Sequence, residues 1–124
     1  MSRTILVADD EPNIVISLEY LMTREGYTVL GARDGQEALD AIVRDRPDLV
    51  LLDVMMPKKS GFEVCQAVRA SEELRATKIL MLTAKGRDTD VAKGLALGAD
   101  AYMTKPFSTR ELVQKVAEML AASP

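Results

Sequence analysis

The sequence predicts an α/β fold: a five-stranded parallel sheet with five helices in three layers. Three observations predict it. Short β-branched or apolar runs alternate with longer segments of helical period along all 124 residues. Two of the runs, Leu49-Val50-Leu51-Leu52 and Ile79-Leu80-Met81-Leu82, are uninterrupted apolar sequence, as in strands covered on both faces. Connections are short, so each strand feeds a helix that crosses back over the sheet, giving parallel pairing and right-handed crossovers. No internal repeat, low-complexity tract or linker interrupts the order, and the length fits one domain, 1–124, with a single hydrophobic core.

Each element has a local cause. Ile5-Leu6-Val7-Ala8 reads as the first strand. Pro12 suits the start of a helix carrying Ile14, Leu18, Leu21 and Met22, which Gly26 closes. Tyr27 to Ala32 make the second strand, and Asp34 caps a helix with Ala38, Leu39, Ile42 and Val43 that ends before Pro47. The run from Leu49 to Leu52 is the third strand, ended by Asp53. Met55-Met56-Pro57-Lys58-Lys59 is a loop, and Ser60 opens a third helix with Phe62, Val64, Cys65 and Val68. Ile79 to Leu82 form the fourth strand, closed by Thr83. A fourth helix runs from about Asp88 to Leu97, with Gly98 at its C-terminal end. Ala101 to Thr104 are the fifth strand, and Ser108 caps a last helix bearing Leu112, Val113, Val116 and Leu120.

Composition narrows the function. Hydrophobic residues make up 48% and charged residues 28%, a balance for a globular domain and against disorder. A formal net charge of −3 lacks the basic excess that direct nucleic-acid binding requires. With no histidine, the chain has no histidine metal ligand, no histidine base and no phosphohistidine of its own. Cys65 is the single cysteine, so no internal disulfide forms; among Phe62, Val64 and Val68 it reads as buried filler. No stretch suits a bilayer span, and Met1-Ser2-Arg3-Thr4 leads into strand residues without a signal-peptide apolar region. The expected location is the cytoplasm.

The chemistry lies at the strand ends. Asp9 and Asp10 follow the first strand, Asp53 the third, Thr83 the fourth and Lys105-Pro106 the fifth. A parallel sheet gathers all of them at its carboxyl edge, where ligands of such sheets bind. Singly, each has an ordinary reading: a helix cap, a loop acid, a strand terminator, a solvated charge. Jointly they make a site. Three carboxylates in a cleft of reduced dielectric repel strongly, and a hard cation such as Mg²⁺ relieves the repulsion. A lysine beside them suits a phosphoryl group, with an aspartate as acceptor.

These residues carry a resemblance. Val7-Ala8-Asp9-Asp10-Glu11-Pro12, Leu51-Leu52-Asp53-Val54-Met55-Met56-Pro57, Ser60-Gly61, Met81-Leu82-Thr83-Ala84 and Gly98-Ala99-Asp100-Ala101-Tyr102-Met103-Thr104-Lys105-Pro106-Phe107 resemble the motifs of receiver domains in bacterial two-component response regulators. The resemblance covers essentially the whole chain. It implies a flavodoxin-like doubly wound sheet in the order 2-1-3-4-5, with Asp53 as phospho-acceptor. It also implies that Asp10 binds Mg²⁺ directly, Asp9 through water, and Met55 through its backbone carbonyl. Thr83 would hydrogen-bond the phosphoryl group, Lys105 would pair with a phosphoryl oxygen, and Tyr102 would turn inward when Thr83 moves. The Lys105–Pro106 peptide bond is expected to be cis.

The resemblance further implies a phosphorylation-dependent switch that catalyses only its own phosphotransfer and dephosphorylation. The donor would be a sensor histidine kinase or histidine phosphotransfer protein. The output would be a shift of the face formed by the fourth helix, fifth strand and fifth helix toward a downstream protein. In size the chain is similar to the chemotaxis-type single-domain regulator, where the positions of Met55 and Lys85 carry an amide and an acid that place an attacking water. Slower self-dephosphorylation is therefore expected here, and Met55→Asn with Lys85→Glu should shorten the phosphoryl lifetime; an unchanged lifetime would refute this.

In Gly94-Leu95 through Phe107 and in Glu111-Leu112-Val113 the sequence is most similar to receivers of the winged-helix transcription-factor class, which dimerise through ion pairs on the output face. Asp100, Glu111 and Lys115 are present, but Val91 and Ala101 stand where charges would be expected. A monomer or a weak phosphorylation-dependent dimer is the expectation. A stand-alone receiver is favoured over one excised from a larger DNA-binding regulator. Other classes fit less well. A flavin carrier's first loop must accept a phosphate, which Asp9-Asp10-Glu11 repels, and a nicotinamide dehydrogenase needs a glycine-rich turn that is absent. Haloacid-dehalogenase-type phosphatases separate their two aspartates by one residue, whereas here the pair is adjacent.

Overall fold

A computed structural model describes residues 3–84, 87–106 and 108–121. Lys85 and Phe107, singled out above, lie outside the described residues. The elements are β1 (Thr4–Ala8), α1 (Pro12–Arg24), β2 (Thr28–Ala32), α2 (Gly35–Asp45), β3 (Leu49–Asp53), α3 (Gly61–Ala70), β4 (Lys78–Ala84), α4 (Asp88–Ala96), β5 (Ala101–Lys105) and α5 (Thr109–Ala121). All strands are parallel, in the order β2-β1-β3-β4-β5. The predicted element order, sheet order and three layers are all present.

The sheet divides the expected single core in two. Side chains alternate across a strand, so each apolar run feeds both faces. Ile5, Val7, Leu49, Leu51, Leu80 and Leu82 pack with Val15, Leu18 and Met22 of α1 and with Leu112, Val116 and Leu120 of α5. Leu6, Val50, Leu52, Ile79 and Met81 pack on the other face with Ala38 and Ile42 of α2 and with Val64, Cys65 and Val68 of α3. That double coverage is why the central strands show no polar alternation.

Helix ends follow their capping residues. The Asp34 carboxylate accepts from the Glu37 backbone N–H at 2.8 Å, and Ser60 with Glu63 forms a reciprocal capping box. The Ser108 hydroxyl accepts from the Glu111 N–H at 3.0 Å. Gly26 and Gly98 hold φ of 96° and 110°, a left-handed region in which other residues are strained. Three local expectations need correcting. Val43 is exposed, and Ala41 takes its place in the core beside Ile42. Tyr27 lies outside β2. Thr83 does not close β4, because pairing with β5 runs on through Ala84 opposite Lys105.

Arg69 ties the far ends of α3, β4 and α4 together. It donates to the carbonyls of Gly98, Arg75 and Thr77 and to the Asp100 carboxylate at 2.7 Å. The same Asp100 oxygen accepts the Ile79 backbone N–H at 2.7 Å. Asp100, considered above for ion pairs between chains, is therefore engaged within its own chain.

Candidate functional site

Strand register assembles the site. Ala8 stands opposite Leu52, so Asp9 emerges from β1 beside Asp53 at the end of β3. Asp53 stands opposite Leu82, which places Thr83 one step further along β4. Lys105 stands opposite Ala84, and its four-carbon side chain reaches back toward the acids. Alternation then sorts the side chains by face. Asp9, Asp53 and Lys105 continue the parity of the residues packed on α1 and α5, whereas Thr83 and Tyr102 continue the parity of Met81 on the opposite face.

The Lys105 ammonium donates to Asp9 Oδ2 at 2.8 Å and to Asp53 Oδ1 at 3.3 Å. Asp9 is fully buried, and its other oxygen accepts the Glu11 backbone N–H at 3.0 Å. Asp53 is nearly as buried, whereas Asp10 is exposed at the rim. One oxygen from each of Asp9, Asp10 and Asp53 lies within 4.8 Å of the other two. All three are carboxylates, hard oxygen donors, so the set fits a small hard dication such as Mg²⁺.

Charge crowding shows in the acidities. Burial and then the neighbouring Asp9 carboxylate push Asp53 from the ordinary 3.8 up to about 6, against the pull of Lys105. For Lys105, burial is the largest single influence and lowers the pKa. The hydrogen bond to Asp9 and the charges of Asp53 and Asp9 together outweigh it and leave the group raised. One ammonium thus serves two buried carboxylates. That is an arrangement short of positive charge.

Above the acids lies an open cleft of about 290 Å³, lined by Asp10, Glu11, Asp53, Val54, Met55, Ala84, Asp90 and Lys105. Met55 is 61% exposed, and its thioether offers no strong donor or acceptor there. The Thr83 side chain is buried, and its hydroxyl lies 3.5 Å from the Met103 carbonyl oxygen. Tyr102 is 45% exposed. The Lys105–Pro106 peptide bond is cis.

Residues 5–117 match the family model of the response regulator receiver domain. The chain belongs to that family. Solved structures agree with the assignment of this receiver domain to two-component signalling. A chain described as a response regulator from Chloroflexus aurantiacus J-10-fl is 36% identical, covering 98% of this chain and 99% of that one, with a TM-score of 0.93. The signal receiver domain of a signal transduction histidine kinase from Syntrophus aciditrophicus is 31% identical, over 97% and 91% of the two chains, at a TM-score of 0.90. The chemotaxis response regulator CheY4 of Vibrio cholerae is 33% identical, over 95% and 98%, at a TM-score of 0.89.

Of the residues read from the receiver's sequence, Asp9, Asp10, Asp53 and Lys105 meet at one point. Thr83 lies beside them with its hydroxyl engaged by β5, and Tyr102 lies further along the same strand pair. Two residues of the cleft region escaped the sequence reading: Asp90, which lines the cleft, and Arg87, whose guanidinium meets Asp90 at 2.7 Å. Their position held a signal. The first turn of a helix that follows a strand of a parallel sheet faces the sheet's carboxyl edge, so acids there adjoin the site.

Proposed function

We propose that this receiver accepts a phosphoryl group on Asp53, in a Mg²⁺-dependent reaction, from a phosphohistidine of a sensor histidine kinase or phosphotransfer protein. The observation that carries this is the buried Asp53 carboxylate flanked by Asp9 and held by Lys105 at the mouth of an open cleft. An Asp53 oxygen bonds to phosphorus as the P–N bond breaks, and the electron pair of that bond returns to the donor imidazole. Rigid support from the apolar residues before it keeps the nucleophile in place. Lys105 offers its ammonium to the equatorial oxygens, where charge spreads during transfer.

Asp9, Asp10 and Asp53, with the Met55 backbone carbonyl, would hold Mg²⁺, which when bound offsets carboxylate charge and polarises phosphoryl oxygens. The acyl phosphate adds acceptors that the resting site lacks. Thr83 can satisfy one by exchanging its weak contact with Met103 for the phosphoryl group. Tyr102 shares the face of Thr83 and follows it inward, which shifts the surface of α4, β5 and α5 toward a partner-binding population. Met55 cannot orient a hydrolytic water, which supports a long-lived phosphoryl group. The absence among the described residues of a helix long and apolar enough to cross a membrane is compatible with action in the cytoplasm.

Beryllium fluoride, a phosphoryl mimic, tests the proposal. With Mg²⁺ it should bind, quench or shift Tyr102 emission and raise the thermal midpoint; without Mg²⁺ it should do none of these. Acetyl phosphate should add one phosphoryl mass under the same dependence. Equal responses with and without Mg²⁺ would refute the reading.

A further inference from the structure

The cleft carries two charges that phosphoryl transfer does not require, Glu11 beside the metal-binding acids and Asp90 on the opposite element. Asp90 lines the cleft wall together with Asp10, Glu11 and Asp53, and among the described residues that line it Lys105 is the single cation. Arg87 pairs with Asp90, Nε to Oδ2 at 2.7 Å, but it is not part of the lining. The exposures give the pair a direction: the Asp90 side chain is 13% exposed and that of Arg87 46%. The pair thus turns its negative end to the cleft and its positive end to solvent. A carboxylate in the first helical turn also complements the helix dipole, and an i,i+3 pair adds a little stability. Neither role explains why the carboxylate forms part of the cleft wall.

A phosphodonor must bring its own negative charge past this wall. Acetyl phosphate arrives as a dianion, whereas phosphoramidate, protonated on nitrogen near neutral pH, carries one charge fewer. We propose that Asp90 is a specificity-determining residue that makes the cleft discriminate against dianionic small phosphodonors in favour of monoanionic ones such as phosphoramidate, with Arg87 setting how strongly its charge is felt. This rests on the reading of Asp53 as acceptor. With acetyl phosphate, an Asp53 oxygen bonds to phosphorus, the bond from phosphorus to the acetyl oxygen breaks, and its electron pair leaves with acetate. With phosphoramidate the P–N bond breaks and nitrogen leaves as ammonia with the protons it already holds. The chemistry at Asp53 is the same, so the difference lies in the approach of charge. One elementary charge at the edge of a cleft alters association by about three- to tenfold, and salt removes the effect.

The test uses the full chain with Mg²⁺ and follows the phosphoryl mass increment with acetyl phosphate and with phosphoramidate. Asp90→Asn should accelerate the reaction with acetyl phosphate about three- to tenfold and that with phosphoramidate by less. Arg87→Gln, which unmasks the carboxylate, should slow the acetyl phosphate reaction. Asp90→Glu should resemble wild type, and all differences should collapse in about 1 M salt, where screening acts within ~3 Å. Loosening of α4 would move Asp90→Asn and Arg87→Gln in the same direction, so a shared direction overturns the proposal. So does an equal gain with both donors, or a gain that survives high salt. If neither donor nor beryllium fluoride labels the wild type, the acceptor reading falls and takes this inference with it.

Discussion

Asp53→Asn is expected to abolish phosphorylation and, at the same time, to make the metal-free protein more stable at neutral pH. Both follow from the same geometry. Asp53 is buried beside Asp9, and burial together with that neighbour raises its pKa to about 6. A carboxyl group whose folded pKa lies above its ordinary 3.8 destabilises the fold when ionised. The penalty is complete above about pH 6, shrinks as the pH falls through that value, and is gone below about 3.8. The amide removes the charge and keeps the shape.

The variant should therefore gain ~1–2 kcal/mol at pH 8, a figure reduced for the solvent that the open cleft admits. That corresponds to roughly 4–8 °C in thermal midpoint. The gain should fade toward pH 4. Mg²⁺ should narrow the gap by stabilising wild type more than the variant. Thermal melts across pH 4–8, with and without Mg²⁺, check each part. A variant that melts below wild type at pH 8 would contradict the charge-crowding account, whereas retained phosphorylation would move the acceptor elsewhere.

Gly61→Ala is expected to cost about 2–4 kcal/mol of stability, even though Ala is the better helix former by up to about 1 kcal/mol. Gly61 opens α3 against the backbone at the end of β3. A Cβ there would lie 2.4 Å from the Asp53 carbonyl oxygen and 2.9 Å from the Val54 Cα. Both are backbone atoms with no rotamer to escape into. The Gly61 N–H also donates to the Val54 carbonyl at 2.9 Å, which holds the two segments together. Relief of the clash must move either the start of α3 or Asp53 itself. Beryllium fluoride affinity should consequently fall by more than tenfold in protein that remains folded. Chemical denaturation together with a binding titration separates the two effects. Stability at or above that of wild type would show that the close approach is not enforced.

Much of this was legible along the chain because its causes are local. Apolar runs, the caps Asp34, Ser60 and Ser108, and Gly98 announce their elements within a few residues of where they act. The strand-end acids needed only one further rule, that parallel sheets present their carboxyl edge to ligands. The errors have equally specific sources. Val43 sits one step off the helix face that meets the sheet, and a short apolar cluster does not reveal that angle. Thr83 looked terminal because the apolar run stops before it, but hydrogen bonding to β5 decides where β4 ends.

Sequence by itself determined the doubly wound sheet, the order of its elements and the candidate acids and lysine, since periodicity and turn chemistry are written in neighbouring residues. Only the tertiary structure decided how those groups share charge. It put Lys105 closer to Asp9 than to Asp53, buried Asp9 while leaving Asp10 in water, spent Asp100 on Arg69, and turned Asp90 into the cleft. The physical reason is reach: Lys105 and Asp9 stand 96 positions apart. No local pattern encodes which of two carboxylates an ammonium will prefer once five strands have brought them together.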